Sequence, residues 1–346
     1  MYYNPYKFNE SLDPVKDKPV CIPGNEHINK VLNGLLKGEY WAVLGPRQIG
    51  KTTFLKQVKN TSANTYHALF NFKAAPANNN DFYQWFIDKM EHEIPSKQAK
   101  FSIPWRHPDP ALELFNFLES FTPGGDKRII MIFDDIGYLH HAASFLSTWK
   151  RIFQERHYKK ELLRYSVIIS GANDLIDLIP GLGSPFDMAK TIYMKDFSGE
   201  ESEILLDEPM KQLNIRMEPN AKEELLSHLD GHPQLLQHAC HLLVEKVYAS
   251  TKIITIKEVM HALEMLKAKN LTLDLLRKTI KADSRLQRLV EDILSGQRKK
   301  FYPYKEFYLF GAGAIVNRDD YCAIRNPLFQ EVLTAELDMT QIEVLV

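Results

Sequence analysis

Nine consecutive residues, Gly45-Pro46-Arg47-Gln48-Ile49-Gly50-Lys51-Thr52-Thr53, have types and spacing that could hold a phosphate. They fit G-x-x-x-x-G-K-[ST] without a substitution. Glycines let a backbone curl until successive N–H groups point inward, which makes a cradle for an anion. A helix opening at the end of the curl adds partial positive charge. Lys51 has the reach and charge for β and γ phosphates, and the Thr52 hydroxyl is an oxygen ligand for Mg2+. All nine residues are therefore candidate contacts of a phosphorylated ligand, with Lys51 also a candidate catalytic group.

A second constellation is Arg128-Ile129-Ile130-Met131-Ile132-Phe133-Asp134-Asp135. An apolar run ending in paired carboxylates is the pattern of a strand buried in a parallel sheet whose C-terminal end reaches a site. Asp134 is the candidate Mg2+ holder, directly or through water, and Asp135 the candidate to orient or deprotonate an attacking water. A third run, Ser166-Val167-Ile168-Ile169-Ser170-Gly171-Ala172-Asn173, ends in small polar residues. Ser170 or Asn173 can contact a γ-phosphate or its water, or either can simply cap the helix that starts near Leu175. The pair His238/His241 has i, i+3 spacing but no carboxylate or cysteine companion, so packing is expected there rather than a metal.

The elements that must position these residues follow from the apolar pattern. Tyr40–Leu44 reads as the strand before the loop, and Phe54, Leu55 and Val58 mark the helix after it. Tyr66–Phe72 and Thr191–Met194 complete a set of strands alternating with helices near 28–36, 82–90, 111–121 and 145–153. Residues 1 to about 24 read as an extended lead-in. The helix at 28–36 either packs in the core or lies by a bound base. From Phe197 the texture becomes helical: a capped helix at Ser198-Gly199-Glu200-Glu201, then Pro219–Leu229, Pro233–Val247 and Thr255–Lys267. Arg285–Leu294, a helix at Tyr304–Phe310, a hairpin turning at Asn317-Arg318-Asp319-Asp320 and a helix at Pro327–Leu337 close the chain. The expected fold is α/β: a P-loop NTPase parallel-sheet core over 1–195, an all-α lid over 196–274, and a winged helix over 275–346.

Composition narrows the function classes. A net charge of -1 gives no global field to recruit nucleic acid or anionic lipid. The segment from Leu275 onward carries 11 basic and 10 acidic residues, a weak electrostatic footprint for DNA. No apolar run approaches membrane-spanning length, so no membrane partner is expected. Cys21, Cys240 and Cys322 have no metal or redox spacing, which fits a reducing cytoplasm.

Placed in order, these stretches resemble the AAA-like branch of the STAND P-loop ATPases from about Pro19 to about Leu333. The likeness is carried by the strand and loop at 40–52, by Phe133-Asp134-Asp135, and by Ser184-Pro185-Phe186-Asp187 with Asp196-Phe197-Ser198-Gly199. Gly231-His232-Pro233 resembles the lid's G-x-P motif, and Gly313-Ala314-Ile315-Val316 with Arg325-Asn326-Pro327-Leu328-Phe329 resembles the winged-helix end. The resemblance implies ATP/ADP and Mg2+ as cofactors, and Pro233 packed near the nucleotide. Asp135 stands where many relatives carry glutamate, one methylene longer, so slow hydrolysis is expected. Arg156 and Arg164 are the candidates for an arginine finger. The resemblance further implies a nucleotide-dependent switch acting on a protein partner or on copies of itself. A DNA-binding ATPase using the winged helix is the alternative, and Arg298-Lys299-Lys300 is its local basic cluster. A small-molecule kinase fits the loop but not the lid and tail.

Overall fold

The computed structural model describes residues 3–96, 100–101, 109–171, 187–250, 252–301 and 313–338. The chain divides into two compact units. A sheet unit comprises Gly24–Gly45 and Phe54–Tyr193; a helical unit comprises Met1–Pro23, Pro46–Thr53 and Met194–Val346.

In the sheet unit, β1 (Tyr40–Leu44), β2 (Tyr66–Asn71), β3 (Ile129–Asp134), β4 (Tyr165–Ser170) and β5 (Lys190–Tyr193) pair in the order β2-β3-β4-β1-β5. Every pairing is parallel. All residues of β1, β3 and β4 are buried, which is why these strands read as unbroken apolar runs rather than as alternation. The strand β4 lies beside the acid-bearing β3. Gly45 follows β1, Asp134 ends β3 and Ser170 ends β4, so all three stand at the C-terminal edge of one parallel sheet. Ligands of open parallel sheets bind at that edge. Helix α1 (Asn25–Leu36) precedes β1, and α2 (Lys51–Thr61, opening in the helical unit), α3 (Asn79–Glu93), α4 (Pro110–Ser120) and α5 (Ala142–Glu155) lie between successive strands. An aromatic cluster anchors them: Phe70 stacks on Phe86 at 4.1 Å, and Phe133 meets Phe145 edge-on at 5.2 Å.

The helical unit contains α6 (Gly199–Gln212), β6 (Arg216–Met217), α7 (Pro219–Leu229), α8 (Pro233–Val247), β7 (Ile253–Ile254), α9 (Ile256–Lys269), α10 (Leu271–Ala282) and α11 (Ser284–Leu294). It closes with β8 (Ile315–Arg318), β9 (Tyr321–Ile324) and α12 (Pro327–Glu336). Full capping boxes start α6 at Ser198/Glu201 and α9 at Thr255/Glu258. The hairpin β8–β9 turns through Asp319 and Asp320, both at positive φ, as a tight two-residue turn demands. Two features had no sequence expectation: the helix α10, and the short parallel pair β6–β7 among the helices. The helix expected at Tyr304–Phe310 and the loop Ser184-Pro185-Phe186 lie outside the described residues.

The lead-in is no loose extension. Tyr6 is 1% exposed, and its hydroxyl donates to the carbonyls of Leu205 and Leu206 in α6. Asn4 donates to the His241 carbonyl, Gln237 donates to the Val20 carbonyl, and Phe8 stacks on His238 at 3.7 Å. Residues 4–20 are thus a strap over α6 and α8. The three cysteines are free and buried. No helix among the described residues is long and apolar enough to cross a membrane.

Gly231 joins α7 to α8 at φ 74°, and its carbonyl accepts from the Phe197 N–H at 2.9 Å. A Cβ there would overlap the Phe197 carbonyl oxygen. Gly231→Ala is expected to destabilise the chain by about 1–3 kcal/mol through this clash and the left-handed backbone. Gly199→Ala, where a Cβ meets nothing within 4 Å, is the neutral control. Thermal denaturation of the two variants compares them, and equal midpoints would show that the Gly231–Phe197 approach constrains nothing.

Candidate functional site

Within the helical unit, residues 46–53 form the turn that feeds α2. Gln48 sits at φ 61° and Gly50 at φ 97°, with Gly45 just before the loop at φ 150°. Positive φ at closely spaced residues is what turns N–H groups toward one side of a loop. A Cβ built on Gly50 meets nothing within 4 Å, so the loop is open at this point. Lys51 is buried, and its Nζ donates to the Pro46 carbonyl at 2.6 Å. Pro46 and Ile49 are buried while Arg47 is exposed; Gln48, Thr52 and Thr53 are half-buried. The Gln48 amide oxygen meets the Thr272 hydroxyl at the start of α10. Thr53 Oγ1 accepts from the Leu12 N–H of the strap at 3.2 Å. The last threonine of the motif therefore holds protein backbone.

In the sheet unit, the parallel register sets Asn71 of β2 opposite Asp134 of β3. Asp134 is 1% exposed, and the Ser170 hydroxyl of β4 donates to its Oδ1. Ser170 thus meets the acid rather than ending its strand alone. Just beyond β2, Lys73 reaches Asp135, with Nζ to Oδ2 at 2.7 Å. Asp135 takes a left-handed conformation, φ 57°, which turns it out of the line of β3. Burial alone would lower the pKa of Lys73, but the hydrogen bond and charge of Asp135 raise it overall. Lys73 was invisible to sequence reading, because only the β2–β3 register brings it to the acid pair.

The two finger candidates are engaged inside the sheet unit. Arg156 donates to the Gly38 carbonyl and lies 3.7 Å over the Phe153 ring. Arg164 donates to the carbonyls of Glu161 and Phe121. In the helical unit, Pro233 is buried at the first position of α8, where the missing N–H costs no intrahelical bond. Its neighbour His232 caps α8, accepting from the Leu235 N–H at 3.5 Å. His238 packs on Phe8 and meets Asn270 at 2.8 Å; burial first, and then the charge of His241, lower its pKa to about 4. No cluster of His, Cys, Asp or Glu suited to a metal occurs among the described residues.

A parallel sheet in this order, a glycine-turned loop feeding a helix and an acid at the end of a buried strand define a P-loop ATPase fold. The chain belongs to the AAA-like domain family, whose model matches residues 24–335. Among solved structures, it is similar to a Walker-type ATPase of Pyrococcus abyssi at 17% identity and TM-score 0.60, covering 94% of this chain and 98% of that one. It is also similar to a RuvB variant of Thermotoga maritima at 12% identity and TM-score 0.50, covering 93% and 97%. At these identities the likeness concerns the fold. None of the curated proteins matches.

If the Ser170 hydroxyl orients Asp134, then Ser170→Ala costs about 1–2 kcal/mol of unfolding free energy. The loss shrinks in an Asp134→Asn background, because the charged acceptor is already gone. Urea titrations of the four proteins measure this coupling. Losses that simply add would separate the two residues energetically.

Proposed function

We propose that the chain binds ATP and ADP with Mg2+, hydrolyses ATP slowly, and uses the difference between the two nucleotides as a molecular switch. The observation that carries this reading is the unbroken G-x-x-x-x-G-K-T loop, turned at Gly45, Gln48 and Gly50 and running directly into α2. Its open face at Gly50 and its lysine suit a phosphate chain. Mg2+ prefers hard oxygen ligands, which the Thr52 hydroxyl and the Asp134 carboxylate would supply. When bound, the metal neutralises phosphate charge. The chain's own residues do the rest: loop N–H groups and Lys51 hold phosphate oxygens, and Ser170 keeps Asp134 oriented.

Asp135 is assigned the attacking water. Its Oδ2 is engaged by Lys73 at 2.7 Å, which leaves it less free to meet a water and supports slow turnover. The switch part rests on the buried junction Gly231-His232-Pro233, where a change at α8 cannot be absorbed by slack backbone. We assign Pro233 to the nucleotide side of that junction, and residues 275–346 to a winged helix that meets a protein partner or another copy of the chain. The DNA-binding alternative rests on the hairpin β8–β9 and the adjoining basic run. Lys299 is paired with Asp292 at 2.8 Å and Arg298 lies 4.0 Å over Tyr321, so both already have partners within the fold.

Lys51→Ala is expected to weaken Mg·ATP by at least about 10- to 100-fold, the worth of a charged hydrogen bond to phosphate. Calorimetry on the full chain measures this, and unchanged affinity would refute the phosphate-loop assignment.

Lys73→Met should release Asp135 and raise the ATP turnover rate several-fold, whereas Asp135→Asn lowers it and leaves Mg·ATP binding intact. Phosphate release assays decide between them. A Lys73→Met variant no faster than the parent removes the ion pair from any control of hydrolysis.

A further inference from the structure

The amino-terminal strap reaches the phosphate loop by two routes. Leu12 is buried, and its N–H donates to Thr53 Oγ1 at 3.2 Å, in the first turn of α2. Four residues earlier in the strap, the Phe8 carbonyl accepts from Gln234 Nε2 at 3.4 Å, and the Phe8 ring stacks on His238. Gln234 also meets the Thr272 hydroxyl at 2.9 Å, and that hydroxyl meets Gln48 in the middle of the loop. Residues 49–52, which carry the lysine and the hydroxyl suited to a phosphate, lie between these two held points. Strap, loop, α8 and the start of α10 all belong to the helical unit.

The strap is braced where it makes these contacts. Asp17 is 2% exposed; its Oδ2 accepts from the Asp13 N–H at 2.8 Å and its Oδ1 pairs with Lys7 at 3.0 Å. The Asp17 N–H returns to the Asp13 carbonyl at 2.8 Å, closing a turn directly after Leu12. Lys7 and Asp17 flank Leu12 in sequence, so their pair stiffens the segment that presents its N–H. The loop has a use for such support. Gln48 at φ 61° is a backbone that an unsupported glutamine leaves readily. A loop that its ligand must first order binds less tightly than one ordered beforehand.

We propose that Phe8 and Leu12 are positioning residues for the phosphate loop, so that a docked strap and a bound nucleotide favour each other. This rests on the nucleotide reading above. With the strap docked, the loop is preset to receive phosphate. With the strap lifted, Thr53 loses the Leu12 N–H and Gln234 loses the Phe8 carbonyl, and the ligand must order the loop itself. Linkage makes the effect reciprocal: the factor by which the strap tightens nucleotide is the factor by which nucleotide tightens the strap on α6 and α8. Lifting the strap would then loosen the nucleotide with no change at Asp134 or Asp135.

Two measurements on the full chain test this. The first needs no variant: hydrogen–deuterium exchange of the parent with and without saturating Mg·ADP. Strap amides, that of Leu12 among them, should exchange about 3- to 10-fold more slowly with the nucleotide bound. A strap unchanged in a parent that binds ADP overturns the proposal and leaves the nucleotide reading standing. The second is Mg·ADP calorimetry, well below each melting point, on Leu12→Pro, which has no N–H to donate, on Thr53→Val, which cannot accept, and on the double variant. Each single change should weaken ADP about 3- to 10-fold, and the double no further, because both remove one hydrogen bond. Thr53→Ser keeps the hydroxyl and should bind like the parent. Losses that add, or a Leu12→Pro protein that melts lower but binds ADP like the parent, show a strap that only stabilises the fold and overturn the positioning role. A parent that binds no nucleotide overturns the nucleotide reading, and this inference with it.

Discussion

A backbone that must turn the wrong way for most residues is the constraint on which the helical unit depends. Gln48, with a full side chain, is held at φ 61° in the middle of the phosphate loop. A left-handed conformation costs a non-glycine residue about 1–2 kcal/mol. The surroundings offset it through a polar chain. Gln48 meets the Thr272 hydroxyl, Thr272 lies 2.9 Å from Gln234 Oε1, and Asn270 reaches both Gln234 and His238. A hydroxyl has one proton, so one of the two glutamines must turn its NH2 group toward Thr272. Asn270 also caps α10 by accepting from the N–H groups of Thr272 and Leu273. The shape of the loop and the start of a helix more than 200 residues later are thus one hydrogen-bonded arrangement.

The sheet unit meets a different demand, the burial of acids. Asp134 is almost fully enclosed at the end of an apolar strand, where an ionised carboxylate is costly unless donors surround it. Ser170 supplies one such donor from the adjacent strand. Asp135 escapes the same burial by its left-handed turn and meets the partly exposed Lys73 instead. Neighbouring carboxylates in sequence therefore live in distinct environments, one enclosed, the other ion-paired with Lys73 and nearer solvent.

Most of the fold was legible because its signals are local. Strands β1, β3 and β4 are enclosed on both faces, so they show as apolar runs, and the loop motif between β1 and α2 has a fixed spacing. Helix starts at Ser198, Thr255 and Pro233 carry their own caps or prolines. What escaped depends on partners far along the chain. Tyr6 looks like one aromatic in a polar lead-in until Leu205 and Leu206 are placed beside it. Arg325 looks like the end of a strand until Asp196 meets it. Lys73 needs the β2–β3 register, and α10 follows α9 with only Asn270 between them, so no loop composition separates the two. The loop and the acid pair were readable as patterns of residue type, while the contacts of Ser170 and Thr53 with protein atoms were not.

The strap also has a consequence for how the molecule is made. Tyr6 leaves the ribosome long before residues 205 and 206, whose carbonyls it donates to. At roughly 5–20 residues per second, synthesis of the intervening chain takes on the order of 10–40 s. Throughout that interval the strap has no native surface to lie on, and Gly24–Gly45 and most of 54–193 can collapse into a separate sheet unit first. Closing so long a loop is entropically slow, although its cost grows only with the logarithm of length. The helical unit is therefore completed last, from segments that lie on both sides of the sheet unit in sequence. A nascent protein stalled before α6 emerges would carry an ordered sheet and an unclaimed strap with Tyr6 uncovered.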